Sequence, residues 1–121
     1  MIKGIGTDLI ELKRIEDQLL KSERLVDRVL TDHERTIFDA LQSTQRKVEY
    51  LGGRFAAKEA FSKAAGTGIG QKFSFKDIEV LNNEQGAPVL TLKKDYQDIV
   101  FVSITHTSAY ASAFVVIEDH T

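Results

Sequence analysis

Asp8, Glu59 and Lys63 are the residues whose types and settings suit metal and phosphate chemistry. Asp8 lies in GIGTDLIEL, among apolar and small residues. Glu59 and Lys63 stand one helical turn apart in RFAAKEAFSKAAGTGIG. Hard divalent cations take carboxylate oxygens, and magnesium is often held by one or two carboxylates with substrate phosphates and waters completing its shell. An ammonium four residues after a carboxylate projects from nearly the same helix face and suits a diphosphate beside such an ion. Gly4 and Gly6 would allow close backbone approach near Asp8, and Ala56, Ala57, Ala60, Ala64 and Ala65 would let the helix lie close to a sheet. Spacing alone equally describes an exposed Glu–Lys ion pair on a solvated helix, and Asp8 alone equally describes a turn or cap residue. Nothing in the spacing brings Asp8 to Glu59.

The elements that must position these groups follow from periodicity. Residues 2–12 read as a strand carrying Ile2, Ile5 and Ile10. Over 14–30, Ile15, Leu19, Val26, Val29 and Leu30 fall on one arc at about 100° per residue, with Ser22 suited to cap a second short helix. Thr31 with Glu34 is a capping-box pattern, so another helix starts there and runs to Leu41. Residues 42–45 read as a loop. A long helix spans 46–65 and stops at Gly66, a C-terminal glycine, before a glycine-rich turn. The second half changes character. Stretches 77–81, 88–92, 99–107 and 110–118 are rich in Val, Ile, Phe and Thr and read as strands. Residues 82–88 form a turn cluster, and 107–109 turn the last two strands into a hairpin. One strand, three or four helices and then an antiparallel run of strands define an α+β fold in a single domain over 1–121.

Composition narrows the function classes. An apolar fraction of 42% over 121 residues supports a real core and excludes a disordered chain. No apolar run approaches the roughly 18 residues of a membrane span. The opening MIKGIGTDL moves straight into strand-like sequence and shows no secretory signal. Without cysteine, thiolate metal sites and cysteine nucleophiles are excluded, and the chain suits a reducing, cytoplasmic setting. A net charge of −2 with both signs plentiful argues against general nucleic-acid binding.

At these residues the chain resembles the small bacterial holo-[acyl-carrier-protein] synthases of the 4′-phosphopantetheinyl transferase superfamily. GIGTDLIELKRIE resembles the family's first motif and RFAAKEAFSKAAGTGIG its second. VLTDHERTIF is similar to its Leu-Thr-x-x-Glu segment, and FKDIEVLNNEQGAPVL and VSITHTSAYASAFVVIE to its C-terminal strands. The likeness runs through almost the whole chain in the right order. One departure is Thr105-His106-Thr107, where the family commonly has Ser-His-Thr; threonine keeps the hydroxyl.

The resemblance implies a 4′-phosphopantetheinyl transferase-like fold. It also implies transfer of the phosphopantetheine arm from coenzyme A to a serine of apo acyl carrier protein, for fatty acid biosynthesis. Adenosine 3′,5′-bisphosphate is the other product. Carried over residue by residue, Asp8 and Glu59 would hold magnesium and Lys63 would sit at the diphosphate, the three forming the catalytic group. Either Glu59 or a water on the metal would take the serine proton. Arg54, His106 and Thr107 look like the contacts to the 3′-phosphate, for which the planar fork of arginine is suited. Read from the strand pattern alone, His106 shares an alternating face with Val100, Val102 and Ile104, where a histidine is commonly a core residue. Lys58 and Gly66 are further candidates for the nucleotide pocket, and Gly86 and Pro88 for the adenine site. The family implies a homotrimer with sites at the subunit boundaries.

The helical wheel adds an inference of its own. If 14–28 is continuous helix, Arg14, Lys21, Arg24 and Arg28 share a narrow arc interrupted by Asp17, with Glu16, Glu23 and Asp27 on the far side. A basic stripe beside an apolar one suits an acidic helical partner such as an acyl carrier protein. It also describes an ordinary solvated face of mixed charge. Two rival readings remain. One is the same chemistry on peptidyl or polyketide carriers. The other is a module that binds coenzyme A without turnover.

Overall fold

The computed structural model describes residues 1–70 and 72–120. Strand β1 (Ile2–Glu11) is followed by helices α1 (Leu12–Lys21), α2 (Arg24–Val29), α3 (Asp32–Ala40) and α4 (Thr44–Ala65). A 3₁₀ turn (Phe75–Asp77) then leads to β2 (Ile78–Asn82), β3 (Pro88–Leu92), β4 (Ile99–His106) and β5 (Tyr110–Glu118). The α+β segregation expected from the sequence is present. The strands do not form one run, however. β1, β5 and β4 make a three-stranded antiparallel sheet in that order, and β2 pairs only with β3.

α4 packs across the three-stranded sheet, and its small residues decide how closely. Ala56, Ala57 and Ala60 are fully buried against Ala113, Val115 and Ile117 of β5. Opposite them, β1 carries Gly4 and Gly6. A Cβ at Gly4 would lie 2.1 Å from the Ala64 carbonyl oxygen, and one at Gly6 2.1 Å from that of Ala60. Only glycine permits this approach. A second core joins α1, α2, α3 and the early half of α4 through Leu12, Ile15, Val26, Val29, Phe38, Val48 and Leu51.

Helix ends follow their capping chemistry. At α3 the Thr31 hydroxyl accepts from Glu34 N, and the Glu34 carboxylate accepts from Thr31 N at 2.9 Å, a complete capping box. The Ser43 hydroxyl accepts from Arg46 N at 3.1 Å, so α4 begins at Thr44, two residues before the expected start. Gly66, with φ of 78°, closes it. The 14–30 stretch divides into two helices, and the second short one expected after Ser22 is α2. Ser22 and Glu23 leave the helix between α1 and α2, and Ser22 Oγ accepts from Arg24 N at 3.3 Å. Among the described residues no helix is long and apolar enough to cross a membrane.

Candidate active site

The tight β1–α4 contact brings Asp8, Glu59 and Lys63 together. Asp8 stands on the β1 face that meets α4, two residues beyond Gly6. Its backbone is fixed by pairing with Ala113, and its carbonyl accepts from Ser112 Oγ at 3.0 Å. Lys63 reaches across to β1, donating to Asp8 Oδ1 and to the Thr7 carbonyl, each at 3.0 Å. Among the described residues Lys63 makes no salt bridge to Glu59, so the exposed helix pair that spacing allowed is not what forms.

Burial, reinforced by the neighbouring Asp8 carboxylate, pushes the Glu59 carboxyl above its ordinary range, while Lys63 and Arg28 act against that rise. The site therefore holds two carboxylates against one bonded ammonium, and one of the carboxylates is held at a cost. That imbalance, with two hard oxygen donors, fits a divalent cation. Among the described residues no cluster of three or more His, Cys, Asp or Glu gathers. An ion held by Asp8 and Glu59 would draw its remaining ligands from substrate phosphate and water, as magnesium commonly does.

The other candidate residues fall elsewhere on the chain. Arg54 is almost wholly buried. Its Nε donates to the Val80 carbonyl at 3.2 Å, an Nη donates to Asn82 Oδ1 at 3.3 Å, and its guanidinium lies 4.2 Å over the Tyr50 ring. It thus sits at the foot of the β2–β3 turn, where Asn82 pairs with Pro88 and Gly86 takes a φ of 86°. His106 is exposed and sits 3.9 Å from Glu49, so it is not the core histidine its strand pattern suggested. The Thr107 hydroxyl accepts from Ala109 N and Tyr110 N and shapes the β4–β5 hairpin. Gly66 is exposed at the end of α4.

Two expectations need correction. Lys58 does not line a pocket: it is fully buried and donates to the Val29 carbonyl, Glu34 Oε1 and the Phe75 carbonyl. Its three donors are spent inside the core. The signal was present in the sequence, since Lys58 shares its helix face with Leu51, Phe55 and Phe61. The partner that sequence reasoning missed is Glu34, read only as a cap and in fact fully buried against Lys58. The second correction concerns the basic arc. Arg14 and Lys21 lie on α1 and Arg24 and Arg28 on α2, so the break at Ser22–Glu23 removes the single wheel on which the four were aligned. All four remain exposed. Arg28 stands 5.4 Å over the Phe75 ring and within the electrostatic reach of Glu59.

Two carboxylates and an adjacent ammonium, held between a strand and a helix on an α+β scaffold, suit a divalent cation beside a phosphate group. The family model for the 4′-phosphopantetheinyl transferase superfamily matches residues 4–115, and the chain belongs to that superfamily. It is 52% identical over 118 residues to a holo-[acyl-carrier-protein] synthase of Oceanobacillus iheyensis, covering 98% of each chain. It is 56% identical over 118 residues to one of Bacillus velezensis, covering 98% of this chain and 97% of the relative. A crystal structure of a holo-(acyl-carrier-protein) synthase from Bacillus anthracis, in complex with CoA (3′,5′-ADP), superposes with a TM-score of 0.89 at 49% identity, covering 98% of both chains.

Proposed function

We propose that this chain transfers the 4′-phosphopantetheine arm of coenzyme A to a serine of apo acyl carrier protein, with magnesium held by Asp8 and Glu59, activating the carrier for fatty acid biosynthesis. The observation that carries the reading is the meeting of Asp8, Glu59 and Lys63 across the β1–α4 contact, in a chain similar along nearly all its length to holo-[acyl-carrier-protein] synthases. The serine oxygen forms a bond to one phosphorus of the diphosphate. The bridging P–O bond breaks, and adenosine 3′,5′-bisphosphate leaves with the electron pair. Asp8 and Glu59 would hold the magnesium, which would supply positive charge to the diphosphate as it is cleaved. Lys63, half exposed beside Asp8, supplies positive charge to the departing oxygen. Either Glu59 or a water on the ion would take the serine proton. Arg54, His106 and Thr107 take the 3′-phosphate, Gly66 the nucleotide, and Gly86 and Pro88 the adenine. Arg14, Lys21, Arg24 and Arg28, exposed on two separate helices rather than on one arc, supply the positive charge offered to an acidic carrier.

We read the working unit as a homotrimer. His106 lies beside Glu49, and Asp8 beside Lys63, fourteen positions further along α4, or about 21 Å at 1.5 Å per residue. A 3′-phosphate and a diphosphate hang on one ribose, so we read His106 and Thr107 as serving a nucleotide whose diphosphate is held by a neighbouring copy. A neighbouring copy supplies the second half. The outer face of the three-stranded sheet supports this, since Ile5, Leu9, Phe101 and Phe114 all stand exposed on it. Unpartnered apolar faces of this kind mark association surfaces.

The test is the mass of an apo acyl carrier protein after incubation with the enzyme, coenzyme A and magnesium. A gain of one phosphopantetheine arm, abolished by a chelator and by Glu59→Gln, is the expected result. Binding of coenzyme A with no mass gain on any carrier would refute the reading.

A further inference from the structure

The buried Lys58–Glu34 pair has no part in the chemistry above, yet it places two full charges in the core. Lys58 Nζ lies 2.7 Å from Glu34 Oε1, both side chains being fully buried. Glu34 also accepts from Thr31 N at 2.9 Å and Val80 N at 2.6 Å, so the pair is thoroughly hydrogen-bonded. Burial pulls the Lys58 ammonium below its ordinary range, with Glu34 opposing. Such pairs contribute little net stability, because desolvation offsets the Coulomb gain, and their best use is to fix one arrangement of the surrounding elements.

What is fixed here is specific. The remaining two donors of Lys58 hold the Val29 carbonyl at 2.6 Å and the Phe75 carbonyl at 3.1 Å. Val29 follows Arg28 on α2, and the Phe75 ring is the surface over which the Arg28 guanidinium lies, 5.4 Å away. Phe75 is braced on its other contact by Phe55 of α4, with ring centroids 5.4 Å apart. Both halves of the Arg28–Phe75 contact are therefore tied, through their backbones, to one ammonium. That ammonium belongs to the residue immediately before Glu59.

We propose that the buried Lys58–Glu34 pair is a positioning device for the carrier-facing edge of the site, holding Arg28 and Phe75 in register with the turn of α4 that presents Glu59. Lys58 touches no substrate and acts through Arg28. The inference rests on Arg28 facing the carrier.

The test compares Michaelis constants for apo carrier with calorimetric affinity for coenzyme A, on the full chain in its native assembly. Arg28→Gln raises the carrier KM about tenfold and leaves coenzyme A affinity within about twofold. Lys58→Met does the same, and Lys58→Gln, which keeps an N–H donor, recovers part of the loss. Lys58→Met combined with Arg28→Gln is no worse than Arg28→Gln alone, because the two residues act in one line. If Arg28→Gln leaves carrier KM unchanged, the carrier reading of Arg28 fails and takes the inference with it. If Arg28→Gln has its effect but the two losses multiply in full, or if coenzyme A affinity falls with carrier affinity, the inference alone is overturned. Should the Lys58 variants fail to fold, Phe75→Leu decides the matter. It removes the ring beneath Arg28 and leaves the buried pair intact, so an unchanged carrier KM in that variant overturns the inference.

Discussion

Gly6→Ala is the sharpest test of how the site is built. A Cβ at Gly6 would meet the Ala60 carbonyl oxygen at 2.1 Å and the Ala64 nitrogen at 2.7 Å. Both are backbone atoms of α4, so no side chain can swing aside. Ordinary contact begins at 3.4 Å, which means β1 and α4 must part by about 1.3 Å near this point. The Lys63–Asp8 bond, now 3.0 Å, crosses the same gap two residues further along and would pass the range of a hydrogen bond. Overpacking of this kind costs about 1–3 kcal/mol, or about 4–12 °C in melting temperature for a domain of this size. A 1 Å misplacement at a reacting centre costs about 100-fold in rate. Gly4→Ala separates the two effects. Its clash with the Ala64 carbonyl oxygen is the same 2.1 Å, but it lies four residues from Asp8. Gly4→Ala, with one backbone contact below 3.0 Å against two at Gly6, should cost stability in the same range but no more than Gly6→Ala, and lose clearly less activity in carrier-loading rates taken below both melting points. Gly68→Ala, at φ of 71° with open space around it, should cost only backbone strain of about 1 kcal/mol and leave the rate unchanged. Equal rate losses for Gly4→Ala and Gly6→Ala, or wild-type activity in Gly6→Ala, would show that the β1–α4 separation does not set the site.

Glu59→Gln should abolish carrier loading and yet stabilise the metal-free protein. A carboxyl raised in the fold binds its proton more tightly there than in the unfolded chain, so stability is lost as pH rises from its ordinary value of 4.5 through the folded pKa. The variant should melt higher than wild type near neutral pH, lose that advantage toward pH 4.5, and lack the magnesium-dependent rise in melting temperature expected of wild type. Thr31→Ala removes the α3 cap and a 2.5 Å bond to Glu79, and should cost about 1–2 kcal/mol in urea unfolding with no change in coenzyme A affinity. Phe101→Glu with Phe114→Glu places charge on the exposed sheet face and should yield a monomer by analytical ultracentrifugation, with carrier loading lost; an active monomer would defeat the shared-site reading. Reversing Arg14 and Arg24 to Glu should raise the carrier KM while barely changing coenzyme A binding, and equal loss for both substrates would defeat the assignment of that surface.

Local chemistry was legible in the sequence wherever one segment decides the outcome. The Thr31–Glu34 box, the stop at Gly66 and the strand over 110–118 each depend on a few neighbouring residues, and each is present. Pairing was less legible. Residues 2–12 read as a strand with glycines that admit a close neighbour, but its pairing with β5 rests on register with residues more than a hundred positions away, such as Asp8 with Ala113. Charges were the least legible. The same four-residue spacing covers Glu59–Lys63, where the ammonium turns to strand β1, and Arg35–Asp39, where the guanidinium stays with its helix partner at 3.1 Å. The difference lies in what each helix face meets. Arg35, half-buried, is held by Glu23 at the start of α2 and by Asp27 within it, whereas Lys63 finds Asp8 at the edge of a glycine-lined contact. Lys58 and Lys63, five residues apart on one helix, show the same rule from the inside. One ammonium is closed within the core by a carboxylate from α3, and the other stays half exposed beside the site, as a group that must meet a substrate has to be.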